Sequence, residues 1–538
     1  MAIEKLITDH LDLWTAAVRP KSSAGRGSNS KLELTGIKKL RELILELAVR
    51  GKLVPQDPGD EPASVLLERI AAEKTRLVKE GKIKKPKALP EISEEEQYFD
   101  LPSTWSWVRL NDIADYNGRP NIEPNNIKGD VWLLDLEDIE KDTSKLLYRA
   151  FYEERESKSN KSTFKCGDVL YGKLRPYLNK VIIADLDGVC TTEIVPIVPG
   201  DGLHPAYLKY LLKSPAFQRY VNSLMYGVKM PRLGTEDAIK SVHPLPPLAE
   251  QHRIVAKVDE LMALCDQLEQ CSESQLAAHQ TLVETLLATL TDSCDADELA
   301  QNWARLSTHF DTLFTTETSI DALKQTILQL AVTGTLVSWG NNVREEKLKN
   351  CISFGPRNGF SPKETTEDTG FYVLKLGATS YGSLNLTEIK NIDVAIEKES
   401  HLFIRKNDIL IQRGNSANYV GSNCLVECDV DGIIYPDLMM KIMVNHKVSA
   451  KYLSLWLSSP RSRCFMWDRM TGTSGTMPKI SKKVVEEIPV MVPLMACQND
   501  IVAKVDELMT LCDQLKSRLQ TSQKTHLKLV DALVEQAL

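Results

Sequence analysis

IVAKVDELMALCDQL, residues 254–268, returns at 501–515 as IVAKVDELMTLCDQL, with Thr510 in place of Ala263. Working outward, LRELILELAVRGKLV (Leu40–Val54) reappears as LKQTILQLAVTGTLV (Leu323–Val337). Ile254, Val258, Leu261, Cys265 and Leu268 alternate steps of four and three, as do Ile501, Val505, Leu508, Cys512, Leu515 and Leu519, which is the apolar seam of a coiled-coil helix. The match continues weakly through His279 with His526, Leu282 with Leu529, Val283 with Val530 and Leu286 with Leu533. Each helix is therefore expected to run about forty residues, or roughly 60 Å. A histidine at an inward heptad position in both copies raises a metal reading, beside the plainer one that a polar residue there fixes register.

Upstream of each long helix the texture changes. Residues 101–245 and 343–495 carry short β-branched runs, aromatics and turns rich in Gly, Pro and Asn, the pattern of two compact α/β domains. They differ from each other far more than the helices do, yet their frameworks correspond. Tyr207-Leu208 to Ser214-Pro215 matches Tyr452-Leu453 to Ser459-Pro460, and Met230-Pro231-Arg232-Leu233 matches Met477-Pro478-Lys479-Ile480. Residues 1–100 form an amino-terminal region, helical around Leu40–Val54 and again over Ala63–Lys79, with Lys82 to Lys87 and Glu94–Glu96 reading as a solvated linker. The expected fold is α+β: two α/β domains (101–245 and 343–495), a central helical spacer (246–342), and a carboxy-terminal helix (496–538) pairing with that spacer. Two such copies can close by a pseudo-twofold axis, which would lay the long helices antiparallel with one domain at each end.

The 538 residues, 43% hydrophobic and 26% charged, are ample for several globular cores. No run of about eighteen apolar residues occurs and the amino terminus lacks the apolar stretch of a signal peptide, so a cytoplasmic protein is expected. The 11 cysteines form no C-x-x-C pair, which points to reduced, mostly buried thiols rather than zinc or disulfides. The net charge of −7 is unevenly spread: residues 246–342 hold 4 Lys and Arg against 14 Asp and Glu, while 343–495 hold 20 against 17. Each domain is thus free to carry one basic face, with the net excess of acid held by the helical spacer.

Catalytic signatures are missing. Gly167 to Lys173 has Walker A spacing, but Leu174 stands where a magnesium-binding Ser or Thr is needed and Pro176 would interrupt the following helix. There is no G-x-G-x-x-G, H-E-x-x-H or G-x-S-x-G, nor the Asn- or Asp-Pro-Pro-aromatic tetrapeptide of adenine-N6 methyltransferases. The same loop reads better as a nucleic-acid surface. Lys173, Arg175, Tyr177, Asn179 and Lys180 crowd between Gly172 and the next strand; cations neutralise phosphate, and Arg or Asn can pair with guanine or adenine edges. The equivalent loop of the second domain offers Gln412, Arg413, Asn415 and Asn418, an amide-rich chemistry suited to a different sequence. Lys229 and Arg232, with Lys479 as the counterpart of Arg232, complete the candidate DNA-binding residues. A solvated loop without a ligand is the alternative.

Pro246-Pro247-Leu248-Ala249-Glu250-Gln251 running into Ile254-Val255-Ala256-Lys257-Val258-Asp259, the opening Leu101-Pro102-Ser103-Thr104-Trp105-Ser106-Trp107, and the loop Lys173-Leu174-Arg175-Pro176-Tyr177 closely resemble the specificity subunits of type I restriction-modification systems, over nearly the whole chain. The start through Glu61-Pro62-Ala63-Ser64 looks like the amino-terminal extension of one branch of that family. The approach to the second helix, Pro493-Leu494-Met495-Ala496-Cys497-Gln498, departs by losing the Glu-Gln-His-Arg ending. The resemblance implies a non-catalytic subunit with two target recognition domains, each reading half of a bipartite DNA site with an unread gap. It also implies two modification subunits bringing S-adenosylmethionine to flip and methylate adenine, and restriction subunits with ATP- and Mg-dependent motors. A specificity-like subunit of a methylation-only or other phage-defence assembly is the alternative, and an enzyme with an unrecognised site a more distant one.

Overall fold

The computed structural model describes residues 3–20, 32–81, 89–155, 158–225, 229–380, 382–394, 396–397, 399–472 and 477–538; the run Lys82 to Lys87 lies outside them. The chain forms two compact units, one of residues 1–19, 33–272 and 525–538, the other of residues 20–32 and 273–524. The two long helices, Leu248–Thr291 (44 residues) and Met495–Ala537 (43 residues), are both present. Neither belongs to one unit alone. The first passes from the first unit to the second after Ser272, and the second passes from the second unit to the first after Lys524. The expected spacer at 246–342 is thus divided between the units.

The apolar positions of the seam are buried, and those of the second copy share a core with Ile320, Leu323, Ile327, Tyr452 and Trp456 of their own unit. Ile254, Val258, Leu261 and Cys265 are buried, as are Ile501, Val505, Leu508, Cys512 and Leu515. Farther along, Val283 and Val530 are buried while Leu282 and Leu529 are about half exposed. His279 is half-buried and donates to the Thr312 carbonyl at 3.1 Å; no cluster of three or more His, Cys, Asp or Glu suited to a metal occurs among the described residues. Cys265 and Cys512 are core residues as expected, but Cys166, Cys271, Cys294, Cys428 and Cys464 are exposed. Thiols here are free without being mostly buried.

The repeat extends further forward than the sequence match. Before the helix Thr35–Val49 lies the short helix Leu11–Ala16, ending near the fully buried Trp14. Before its counterpart Glu317–Ala331 lies Phe310–Leu313, followed by the buried Phe314. Gly36 is required in the first copy because a Cβ there would sit 2.1 Å from the Trp14 carbonyl oxygen. The first of these helices is tied to the first long helix by Arg41 with Asp266 at 2.6 Å, and the matching pair in the second unit is Lys324 with Asp513 at 2.7 Å.

Both α/β domains have the same strand order. In the first, a four-stranded sheet runs Val181–Ile183, Val169–Gly172, Ile194–Pro199, Ala114–Tyr116; in the second it runs Asn423–Leu425, Ile409–Gln412, Met439–Val444, Ile352–Asn358. A second sheet in each contains one parallel pair, Trp132–Leu134 with Gly188–Cys190 and Tyr372–Leu374 with Ile433–Ile434. The central strands Val169–Gly172 and Ile409–Gln412 are buried at every position, so their apolar runs show no alternation. Residues 57–104 are an insertion peculiar to the first copy. They carry the helix Ala63–Lys79 and a strap held by Arg109, which is 4% exposed and bonds the Pro90 carbonyl at 3.0 Å and both Glu96 carboxylate oxygens at 3.0 and 3.1 Å. Glu96 is therefore held by Arg109 while remaining partly exposed.

Each long helix is fixed to the α/β domain before it by a buried amide. Gln251 accepts from the His204 backbone N–H at 2.8 Å and donates to the Pro246 and Gly202 carbonyls at 3.1 and 3.3 Å. Gln498 accepts from Ser449 at 2.8 Å and donates to Pro493 and Lys447, both at 2.9 Å. Both side chains are fully buried. Beside them Tyr207 donates to the Pro244 carbonyl at 2.9 Å and Tyr452 to the Met491 carbonyl at 2.8 Å. Replacing Gln251 by Ala strands one buried N–H and two carbonyls, and is expected to cost about 2–4 kcal/mol in urea denaturation; a loss below about 0.5 kcal/mol would show the tie to be dispensable.

His243 supplies a pH dependence. The Ser241 hydroxyl donates to the Ala238 carbonyl at 2.6 Å, so His243 Nε2–H donates to Ser241 Oγ at 2.7 Å. Burial pushes the imidazole pKa down to about 3. The unfolded chain takes up a proton near pH 6.5 that the folded chain refuses, so stability falls as pH drops from there toward 3. Between pH 7 and pH 5 this residue alone should cost about 2 kcal/mol, and His243→Val, the residue type of its counterpart Val490, should flatten that dependence in denaturant titrations at the two pH values.

Candidate nucleic-acid interface

The loop 173–180 joins the paired strands Val169–Gly172 and Val181–Ile183. At the far end of this hairpin Asp168, 2% exposed, takes two guanidinium donors of Arg119 at 2.7 Å and the Lys165 N–H at 2.8 Å. Within the loop Arg175 and Asn179 both have left-handed backbones, φ 50° and 52°, on either side of the turn Pro176–Leu178. Non-glycine residues hold that conformation only where surroundings impose it. Here the Arg175 N–H donates to the Pro231 carbonyl at 2.8 Å, Leu233 N–H donates to Lys173 at 3.0 Å, and Leu174 bridges Arg232. The Met230–Leu233 segment is thus part of the same surface.

The loop side chains divide into two groups. Asn179 donates to the Lys213 carbonyl at 3.3 Å and accepts from Gln218 at 3.2 Å; Lys180 donates to the Leu136 carbonyl at 2.7 Å, and burial lowers its pKa. Both brace the loop from behind. Lys213 reinforces that backing: its ammonium donates to the Asp142 and Thr143 carbonyls and to Ser144 Oγ at 2.7, 3.1 and 2.7 Å, and burial brings its pKa down to about 7. By contrast Arg175 and Tyr177 are exposed, Lys173 is half-buried and Lys229 is exposed. None of their side chains has a hydrogen-bond or ion-pair partner among the described residues. Arg232 is exposed but paired with Glu193 at 3.0 and 3.1 Å. The loop and the Lys229–Arg232 segment thus carry four cations, Lys173, Arg175, Lys229 and Arg232, of which Arg232 is paired with Glu193.

The second domain repeats the frame with different contents. Asp408 is held by the Arg405 N–H at 2.8 Å and by the buried Lys441 at 3.0 Å. Gly414 bridges Lys479, and Ile480 N–H donates to the Arg413 carbonyl at 2.9 Å. Gln412, expected among the readers, is fully buried and donates to the Leu376 carbonyl at 2.8 Å and to the Thr379 and Ser380 hydroxyls at 3.0 Å each. Asn415 donates to Gln412 at 2.7 Å and accepts from the Ser416 N–H at 2.7 Å. These amides fold the loop against its own domain. Asn418 and Lys479 remain exposed, while Arg413 is half-buried with a buried Nε lacking a partner among the described residues.

Two residues absent from the sequence reading hold the loops in place. Gln218 bonds Asn179, and at the matching position Arg463 donates to the Asn418 carbonyl at 2.7 Å and to Ser422 Oγ at 3.1 Å. Each is the fourth residue after the aligned Ser214 or Ser459, on the helices Pro215–Leu224 and Pro460–Trp467. Arg463 also lies 5.0 Å from the Trp467 ring centre. A separate cavity of about 860 Å³, lined by Arg50, Tyr98, Arg109, Phe217, Arg219 and Lys240 among others, contains none of the loop residues. No helix among the described residues is long and apolar enough to cross a membrane.

Two domains of one topology, bearing unlike loops on a repeated helical frame, define a two-headed recognition protein. A family model described as the type I restriction modification DNA specificity domain matches residues 102–278. The type I restriction enzyme EcoEI specificity subunit of Escherichia coli is 40% identical over 600 aligned positions, covering 100% of both chains. The EcoAI specificity subunit of Escherichia coli is 39% identical over 602, again covering 100% of both. A solved chain from a structural study of type I R-M complex assembly and conformational transition shares the fold, with a TM-score of 0.57 at 19% identity over 82% of this chain and 98% of that one. The chain belongs to the family of type I restriction enzyme specificity subunits.

The split between outward and inward side chains makes a direct prediction for DNA binding. Arg175→Ala is expected to lower the slope of log affinity against log salt by about one. Lys180→Ala should leave the slope unchanged and lower the melting temperature instead. Equal flattening by both variants would place Lys180 at the interface after all.

Proposed function

We propose that this chain is the sequence-reading subunit of a type I restriction-modification complex, with each domain reading one half of a bipartite, gapped DNA target. It performs no bond chemistry itself. Two modification subunits carrying S-adenosylmethionine methylate adenine where the chain directs them, and restriction subunits using ATP and Mg cut unmodified DNA, all in the cytoplasm. The observation that carries this reading is the recurrence of one loop-and-segment frame in both domains with different outward chemistry: Lys173, Arg175 and Tyr177 in the first, Arg413, Asn418 and Lys479 in the second. Shared scaffolds position the protein on the duplex backbone, and divergent side chains at base edges give each half its sequence. Full-length similarity to two specificity subunits supports it.

Mapping methylated adenines in cells that make this chain with its modification subunit is the test. Two short half-sites separated by unread bases are expected. In the Arg175→Ala variant one half-site should relax, with about 1–3 kcal/mol of discrimination lost at one position, while the other half stays intact. Methylation at a single uninterrupted sequence, or relaxation of both halves together, would overturn the assignment.

A further inference from the structure

Met230 and Met477 occupy the same place in the two reading domains, and both are about half exposed, at 50% and 47%. One apolar side chain left in water is ordinary. The same one, left in water twice in domains whose surrounding loops have diverged, indicates a shared contact. Each is followed by a proline, Pro231 or Pro478, which fixes its own φ and drives the preceding residue toward extended backbone. The chain beyond that proline is then locked to the reading loop. In the first domain Arg175 N–H meets the Pro231 carbonyl and Leu174 bridges Arg232; in the second Gly414 bridges Lys479. Cations stand beside both methionines, Lys229 and Arg232 around the first and Lys479 near the second.

An apolar side chain set among cations fits a partner that is anionic outside and apolar within. Duplex DNA is such a partner, since phosphates line its edges and the faces of stacked bases lie between them. Methionine is flexible enough to follow an irregular gap, and it is among the residues used as wedges against base steps. We propose that Met230 and Met477 are twin apolar wedges, each pressing on the base stack of its own half-site and partly opening one step. The inference rests on the DNA-reading function above. The cations supply attraction that salt weakens; the thioethers supply a contact that salt leaves alone, common to both halves whatever their sequence.

The test uses the full-length chain without other subunits and a duplex carrying the site returned by methylation mapping. Fluorescent 2-aminopurine replaces each adenine in turn. Binding should brighten one position in each half-site. Met230→Ala should abolish that signal in one half only, Met477→Ala in the other half only, each weakening binding about tenfold with the salt slope unchanged, while Met230→Leu retains the signal. If both alanine variants bind and brighten like the unaltered chain while Arg175→Ala still weakens binding, the wedges are refuted and the reading function stands. A salt slope lowered by about one in either alanine variant refutes them too, because the methionine would then only space the cations. Failure of the unaltered chain to bind the mapped site removes the reading function and the wedges together.

Discussion

A buried glutamine, repeated once, joins recognition to framework. Gln251 and Gln498 each bond a backbone N–H at the start of a reading-domain helix, a carbonyl in the turn before that helix, and a proline carbonyl on the approach to a long helix. An amide can serve both roles because it accepts and donates in one plane; a carboxylate would face those carbonyls with repulsion. Around this tie the two copies have drifted. Glu250 takes bonds from Gln56 and Trp105 at 2.6 and 2.9 Å, whereas the matching Cys497 reaches only the Ser338 carbonyl at 3.6 Å. The amide persists because its three partners are main-chain groups, which no exchange of side chains removes.

The long helices were legible because their apolar spacing is strict and written twice. The reading domains were legible as domains but not in their topology, since the central strands are buried on both faces and lack the alternation that marks a strand. Residues 57–104 hid their character for another reason: only comparison of the two folded copies shows that they interrupt a pattern running from Thr35–Val49 straight to Ser106–Arg109. Within the loops, residue type revealed which chemistry was present and concealed its direction. Asn179, Lys180, Gln412 and Asn415 have the side chains of a base reader, yet each bonds its own domain. Gln218 and Arg463 were readable in principle from their common distance after Ser214 and Ser459, but their roles depend on loops brought close only by folding.

The two loops are stiffened by different means on one scaffold. In the first, left-handed turns at Arg175 and Asn179 are imposed from behind by Lys180, Lys213 and Gln218, leaving cations and a tyrosine on the outside. In the second, the amides Gln412 and Asn415 knit the loop inward and Arg463 gathers its far end. The net excess of acid lies on residues 246–342, with 14 Asp and Glu against 4 Lys and Arg.

Cys464 adjoins Arg463 on the helix that gathers the second loop, and its thiol is exposed and unpaired. A maleimide dye attached there would ride on the same turn of backbone as the loop's fastening without replacing any of its bonds. Nature has in effect left a reporter socket beside one reader, while the corresponding place beside the other, Arg219, is occupied by a guanidinium bound to Glu46 at 2.7 Å. With the other exposed cysteines, Cys166, Cys271, Cys294 and Cys428, replaced by serine, a thiol-directed probe at Cys464 can follow the second domain separately from the first.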